Sequence, residues 1–117
     1  MITRIWHGIT KTEGAGEYRE FVIATGIKDY LSTKGNQGAQ VWQKREGDIT
    51  HIWTISWWDG YESIKGFAGD DIEKAHYYEE DKKYLLEFEP HVAHYETYDF
   101  SPLTAGPSNG SAVQNLL

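Results

Sequence analysis

The chain predicts an α+β fold, one four-stranded antiparallel sheet with its helices on a single face, from three observations. Hydrophobic periodicities alternate along the chain in the order β-α-β-β-α-β, which short connections and right-handed crossovers close into that sheet. The run His51-Ile52-Trp53-Thr54-Ile55-Ser56-Trp57-Trp58 carries large side chains on both of its faces. At 117 residues the chain has material for one core only.

The first strand is read from Ile2-Thr3-Arg4-Ile5-Trp6-His7-Gly8-Ile9-Thr10, where Ile5 and Ile9 oppose Trp6. The face with Ile5, His7 and Ile9 is the more apolar and is expected to meet the helices. Arg4 shares the Trp6 face, which is expected to meet a partner sheet, where Arg4 pairs with a carboxylate such as Glu96 or one of the other chain. After a loop at Lys11-Thr12-Glu13-Gly14, the residues Ala15, Tyr18, Phe21, Val22 and Thr25 recur at helical spacing with Glu17, Arg19 and Glu20 between them. Gly26 interrupts this helix, residues 27–31 add a turn or two, and Lys34-Gly35-Asn36-Gln37-Gly38 ends it.

Residues 39–44 read as a second strand and Arg45-Glu46-Gly47-Asp48 as a hairpin turn into the tryptophan-rich strand. There Trp53, Ile55 and Trp57 line one side, and Ile52, Thr54, Ser56 and Trp58 the other. A chain this short covers one sheet face with its own helices, so the other face calls for a second copy. Asp59 with Glu62 three positions on reads as an N-cap pair resembling a capping box, opening a helix whose apolar face is Tyr61, Ile64, Phe67 and Ala68. Residues 70–77 are expected to form a separate short helix and residues 80–88 another turn or two, before Pro90 and a last strand over 91–98. The domain spans residues 1–100. Residues 101–117 are rich in Gly, Ser, Pro and Asn and read as a tail, with Leu103 or Leu116-Leu117 expected to dock on a partner subunit.

Acidic residues outnumber basic ones 18 to 11, for a formal charge of −7, and no basic cluster stands out. Nucleic acid and anionic membrane surfaces are therefore poor partners, and an uncharged or cationic ligand suits the balance better. No apolar stretch approaches the roughly 18 residues of a membrane span, and there is no cysteine for a disulfide, thiol nucleophile or thiolate site; the expectation is a soluble, cytoplasmic protein. Aromatic residues make up 15% of the chain, which serves a core, an interface or an aromatic-lined pocket.

The tracts Ile5-Trp6-His7-Gly8, Gly66-Phe67-Ala68-Gly69-Asp70-Asp71-Ile72-Glu73 and Tyr84-Leu85-Leu86-Glu87-Phe88-Glu89-Pro90-His91-Val92 resemble the antibiotic biosynthesis monooxygenase-like proteins of the dimeric α+β barrel superfamily. The resemblance covers residues 1–99. It implies a homodimer of two ferredoxin-like protomers packed sheet to sheet, with a ligand cavity between the sheet and helices of each. Its monooxygenases need no metal or flavin, because the deprotonated, electron-rich substrate reacts with oxygen itself.

Such chemistry asks for a dry aromatic cavity and a group that moves a proton. His7 and His76 are the candidates for that group, since imidazole changes charge near neutral pH. Trp6, Tyr18, Phe21, Trp57, Trp58 and Phe67 are the candidates for the walls. The alternative for His7 is a buried histidine satisfied by a neighbour. In the haem-degrading branch the resemblance implies a histidine on the second helix, an asparagine on the first strand and a tryptophan on the third. His76 and Trp57 or Trp58 fill two of these roles, the asparagine is missing, and haem is disfavoured. His91 and His94, three apart on a strand, face opposite sides and share no metal, so neither metal nor cofactor is expected. No Gly-x-Ser-x-Gly elbow is present, and Gly35-Asn36-Gln37-Gly38 lacks the lysine of a phosphate loop. The run Glu79-Glu80-Asp81 reads as a solvated helix start. Two functions stay open: a cofactor-independent monooxygenase for a small aromatic or polyketide-like substrate, or a binding or structural protein of the same fold without chemistry.

Overall fold

A computed structural model describes residues 1–101. Strand β1 (Ile2–Lys11) is followed by a 3₁₀ turn (Thr12–Gly14), helix α1 (Ala15–Val22), a π turn (Ile23–Ile27) and helix α2 (Lys28–Leu31). Strands β2 (Asn36–Glu46) and β3 (Ile49–Trp58), helix α3 (Tyr61–Ala68), a 3₁₀ turn (Glu79–Lys83) and strand β4 (Ala93–Glu96) complete it. The strands form one antiparallel sheet in the order β2-β3-β1-β4, the ferredoxin-like arrangement expected from the element order. The tail and its expected docking residues Leu103, Leu116 and Leu117 lie outside the described residues.

Register sets the two faces. On β1 the residues Ile2, Arg4, Trp6, Gly8 and Thr10 are buried, while Thr3, Ile5, His7 and Ile9 are half-buried on the opposite side. On β3 Thr50, Ile52, Thr54, Ser56 and Trp58 are buried on one side, and of their alternates Ile55 is buried while His51, Trp53 and Trp57 stay partly open. The helices therefore cover the face of Arg4 and Trp6, and His7 sits across the sheet from them. This reverses the facing expected for β1. Apolarity favoured the Ile5 and Ile9 side, whereas burial of Arg4 is made possible by acceptors that the segment after α3 and strand β4 bring to it. The core joins Trp6, Tyr18, Val22, Ile27, Tyr30, Ile52, Trp58, Ile64 and Leu85.

The first helical region runs without a break from residue 15 to residue 31, and Gly26 widens it into a π turn rather than ending it. Thr25 Oγ1 donates to Phe21 O at 2.8 Å within that turn. The hairpin tightens to a two-residue turn at Gly47-Asp48, with Gly47 at a φ of 63° that glycine adopts without strain. Asp59 does not cap α3: Gly60 is the N-cap, Asp59 Oδ1 is taken by the Ser63 hydroxyl at 2.6 Å, and Glu62 pairs with Lys65 at 3.0 Å. Residues 70–77 form no helix. Their backbone pairs with the chain around Pro90 instead, through Ala75 N to Pro90 O (2.9 Å) and Val92 N to Glu73 O (2.8 Å). Helix periodicity there competes with these longer-range bonds and loses. Residues 80–88 keep only the 3₁₀ turn, after which Leu86 N donates to Ile9 O at 2.9 Å and lays Leu85 on the core.

Candidate functional site

Between the sheet and its helical cover lies a cleft that is partly open to solvent. Arg4, Trp6 and Thr54 form the sheet side. Tyr18, Val22, Thr25, Gly26 and Tyr30 come from the first helical region, where the π turn places a small residue against the opening. Phe67, His76, Tyr78, Asp81 and Val92 close the far side. Of the residues expected from sequence, Trp6, Tyr18, Phe67 and His76 meet here.

The other four sit elsewhere. Phe21 packs on Tyr18 with ring centroids 6.2 Å apart, and Trp58 packs on Phe67 at 6.4 Å, so both support the walls from behind. Trp57 lies on the open face against Phe100, at 5.5 Å. His7 is on that same open face, where its Nδ1 meets Glu89 Oε2 at 2.5 Å and its Nε2 meets His51 Nδ1 at 2.8 Å, with Trp53 alongside at 5.2 Å. The expectation that His7 enters the cavity is thus overturned by the two-residue period of the strand.

Arg4 is 1% exposed. Its Nη1 donates to Ile72 O at 2.5 Å and lies 3.0 Å from His94 Nε2, and its Nη2 donates to Lys74 O at 3.4 Å. The expected carboxylate partner Glu96 is not used. Among the described residues no carboxylate lies within ion-pair distance of the guanidinium, and its buried Nε has no partner. The cation lies 5.6 Å from the centre of the Phe67 ring, whose negative face attracts it. Burial pulls the Arg4 pKa down, and the nearby Tyr30 opposes that shift. Burial also lowers the pKa of His94, and Arg4 lowers it further, so the neutral imidazole accepts from the arginine.

Asp81 is 4% exposed, although the acidic run around it read as solvated; Glu79 and Glu80 are the exposed members. Tyr18 Oη donates to Asp81 Oδ1 at 2.9 Å and Tyr78 N to Oδ2 at 2.6 Å. Burial raises the Asp81 pKa, and these two hydrogen bonds offset part of the rise. Burial and the neighbouring Asp81 raise the Tyr18 pKa, which keeps Tyr18 a donor. Trp6 Nε1 donates to Tyr77 Oη at 3.3 Å, and Tyr77 in turn donates to Glu89 O at 2.5 Å, fixing the indole.

His76 is exposed and stands at the rim, with Nε2 2.9 Å from Ala68 O. A carbonyl can only accept, so Nε2 carries the hydrogen and Nδ1 of the neutral ring is left as an acceptor. No group of three or more metal-ligating side chains occurs among the described residues. Arg4, Tyr30, Tyr78 and Asp81 escaped the sequence reading as cleft residues; only the shared parity of Arg4 with Trp6 hinted at one of them.

No family model and no curated protein sequence matches the chain. Solved structures do. Rv0793 from Mycobacterium tuberculosis superposes with a TM-score of 0.56 at 10% identity, covering 86% of this chain and 98% of that one. The heme-degrader MhuD from Mycobacterium tuberculosis, with two hemes bound in its active site, gives 0.54 at 16% identity, covering 86% and 100%. A mutant of MhuD with two manganese protoporphyrin IX bound per active site gives 0.55 at 16% identity, covering 87% and 100%. The chain therefore has the ferredoxin-like α+β fold of these proteins, the fold that its resemblance to the antibiotic biosynthesis monooxygenase-like family implies.

Proposed function

We propose that the chain is a monooxygenase needing neither metal nor flavin, which oxidises a small aromatic substrate held in the cleft. The observation that carries this reading is one cleft combining aromatic walls with two proton-handling groups, His76 at the rim and Asp81 within. A perturbed carboxyl in an apolar cleft is suited to proton transfer. The substrate loses a proton from an activated ring CH₂ to His76 Nδ1 or to Asp81. The resulting carbanion is oxidised by dioxygen: one oxygen atom becomes the new ring carbonyl and the other leaves as water, so CH₂ and O₂ give C=O and H₂O. Trp6 and Phe67 hold the ring system and keep bulk water from the anion.

In this reading a second copy of the chain covers the open sheet face. Trp42, Trp53, Trp57 and Tyr95 support it, Trp42 being 49% exposed there and Tyr95 56%.

An oxygen electrode with an anthrone and hydroquinone panel tests the activity. Uptake above the buffer rate, reduced at least about tenfold by His76→Ala or Asp81→Asn, is expected, in line with the usual size of a general-base contribution. Uptake no faster than buffer with every substrate would leave a ligand-binding protein without chemistry.

Haem binding is the second reading, favoured by the haem-type groups in two structures of this fold. His76 fits part of that role, because its Nδ1 is the nitrogen left to reach iron, and haem would there supply redox chemistry with oxygen. A Soret band on titration with haemin, lost in His76→Ala, would establish it.

A further inference from the structure

We infer that the cleft takes an anionic aromatic ligand, a ring system bearing a carboxylate that seats on Arg4. The inference rests on the cleft being the ligand site proposed above and adds the chemical class of its occupant.

A guanidinium carries five N–H donors and a permanent positive charge. At Arg4 these face two backbone carbonyls, one imidazole nitrogen and the Tyr30 hydroxyl, none of them a carboxylate, and Nε faces no acceptor. A buried cation without an anion is a costly arrangement, and folded proteins normally pair or hydrogen-bond such a group fully. The Phe67 ring compensates only in part, since a quadrupole attracts a cation more weakly than a carboxylate does.

Nothing else in the cleft is placed to neutralise Arg4. Asp81, the one carboxylate lining it among the described residues, forms no ion pair with Arg4. Glu96, on β4, pairs through its carboxylate with the Tyr98 hydroxyl instead. The missing charge is therefore left to the occupant. The surroundings define the rest of that molecule. Phe67 lies against Arg4, and Trp6 is the next inward-facing residue along β1, so a carboxylate at the guanidinium carries its ring between aromatic walls. The overall charge of −7 would repel such a ligand at a distance, which makes a local cation in the cleft a requirement for its capture.

Binding is measured under nitrogen by quenching of tryptophan fluorescence, with benzoate, 2-naphthoate and 2-anthracenecarboxylate, each against its neutral amide. At least one acid should bind the wild-type protein about tenfold more tightly than its amide. Arg4→Gln should abolish that preference, and Arg4→Lys should keep part of it. The acid-to-amide ratio of the wild-type protein needs no variant, so a poorly folded Arg4→Gln does not rescue the inference. Should no acid of the panel outbind its amide, or should folded Arg4→Gln retain the preference, the inference is overturned. Absent oxygen uptake with the acid preference intact removes only the monooxygenase reading. Uptake with neutral substrates and no acid preference removes only the role of Arg4.

Discussion

Tyr18 Oη and Asp81 Oδ1 are 2.9 Å apart, joining α1 to the 3₁₀ turn of residues 79–83 across 63 positions of sequence. The bond ties the helical wall of the cleft to the segment that closes it, and it leaves a buried carboxyl facing the cleft. Within that segment Tyr78 N donates to Asp81 Oδ2 at 2.6 Å and caps the 3₁₀ turn.

Asp81 should make stability depend on pH with a definite sign. Its folded pKa is raised above the ordinary value of 3.8, so the folded state binds the proton more tightly than the unfolded one. Stability from this group is full below 3.8 and is lost as pH rises through the window up to the folded pKa. In urea unfolding at a series of pH values, Asp81→Asn should gain on the wild type through that window, by roughly 1.4 kcal/mol for each unit by which the pKa is displaced. A constant difference between the two proteins would contradict the burial of this carboxyl.

His94 should act in the opposite sense. Its folded pKa is lowered, chiefly by burial and then by Arg4, below the ordinary 6.5. The unfolded chain therefore takes up a proton first as pH falls, and stability present above 6.5 is lost below it. His94→Gln should flatten the acid limb of a thermal melting series, because an amide stays neutral while accepting from Arg4. An unchanged acid limb would mean that His94 is already protonated in the fold.

Gly8 should tolerate no side chain. A Cβ there would stand 2.5 Å from Trp6 Cη2 and 2.9 Å from Leu85 Cδ2, so the indole that lines the cleft lies directly over the glycine. Gly8→Ala should destabilise by about 1–3 kcal/mol, as overpacking of a core does. It should also shift the tryptophan emission, as Trp6 leaves its bond to Tyr77. Fluorescence and urea melts on one sample read both.

Gly26 should behave differently, since nothing lies within 4 Å of a Cβ placed there and its φ is not positive. Gly26→Ala should raise stability by about 0.5–1 kcal/mol through the unfolded chain. Because Gly26 lines the cleft, the same change should weaken binding of the widest ligands first. Equal loss for benzoate and 2-anthracenecarboxylate would place the ligand away from the π turn.

His7 and His51 should stabilise the open face as a unit. Glu89 bonds the outer nitrogen of His7 at 2.5 Å and Glu46 that of His51 at 3.0 Å, so both outer nitrogens carry hydrogen. The 2.8 Å contact between His7 Nε2 and His51 Nδ1 joins the two rings, so Glu89, His7, His51 and Glu46 form one hydrogen-bonded chain. His7→Ala and His51→Ala should each cost about 1 kcal/mol, and the double variant little more than either. Additive losses in a double-mutant cycle would show that the rings act separately.

The succession of strands and helices and the helical spacing of Tyr18, Val22, Ile64 and Ala68 are legible in the sequence, because alternation and the helical period are local properties of neighbouring residues. So were four residues of the cleft, Trp6, Tyr18, Phe67 and His76, whose bulk or imidazole marks them wherever they fall. Which face of β1 meets the helices was decided only by the tertiary structure. Alternation divides a strand into two sets without ranking them, and the charge on Arg4 weighed against the set that is in fact buried. That burial depends on Ile72, Lys74 and His94, between 68 and 90 positions away along the chain, and acceptors so distant leave no mark beside the residue they hold.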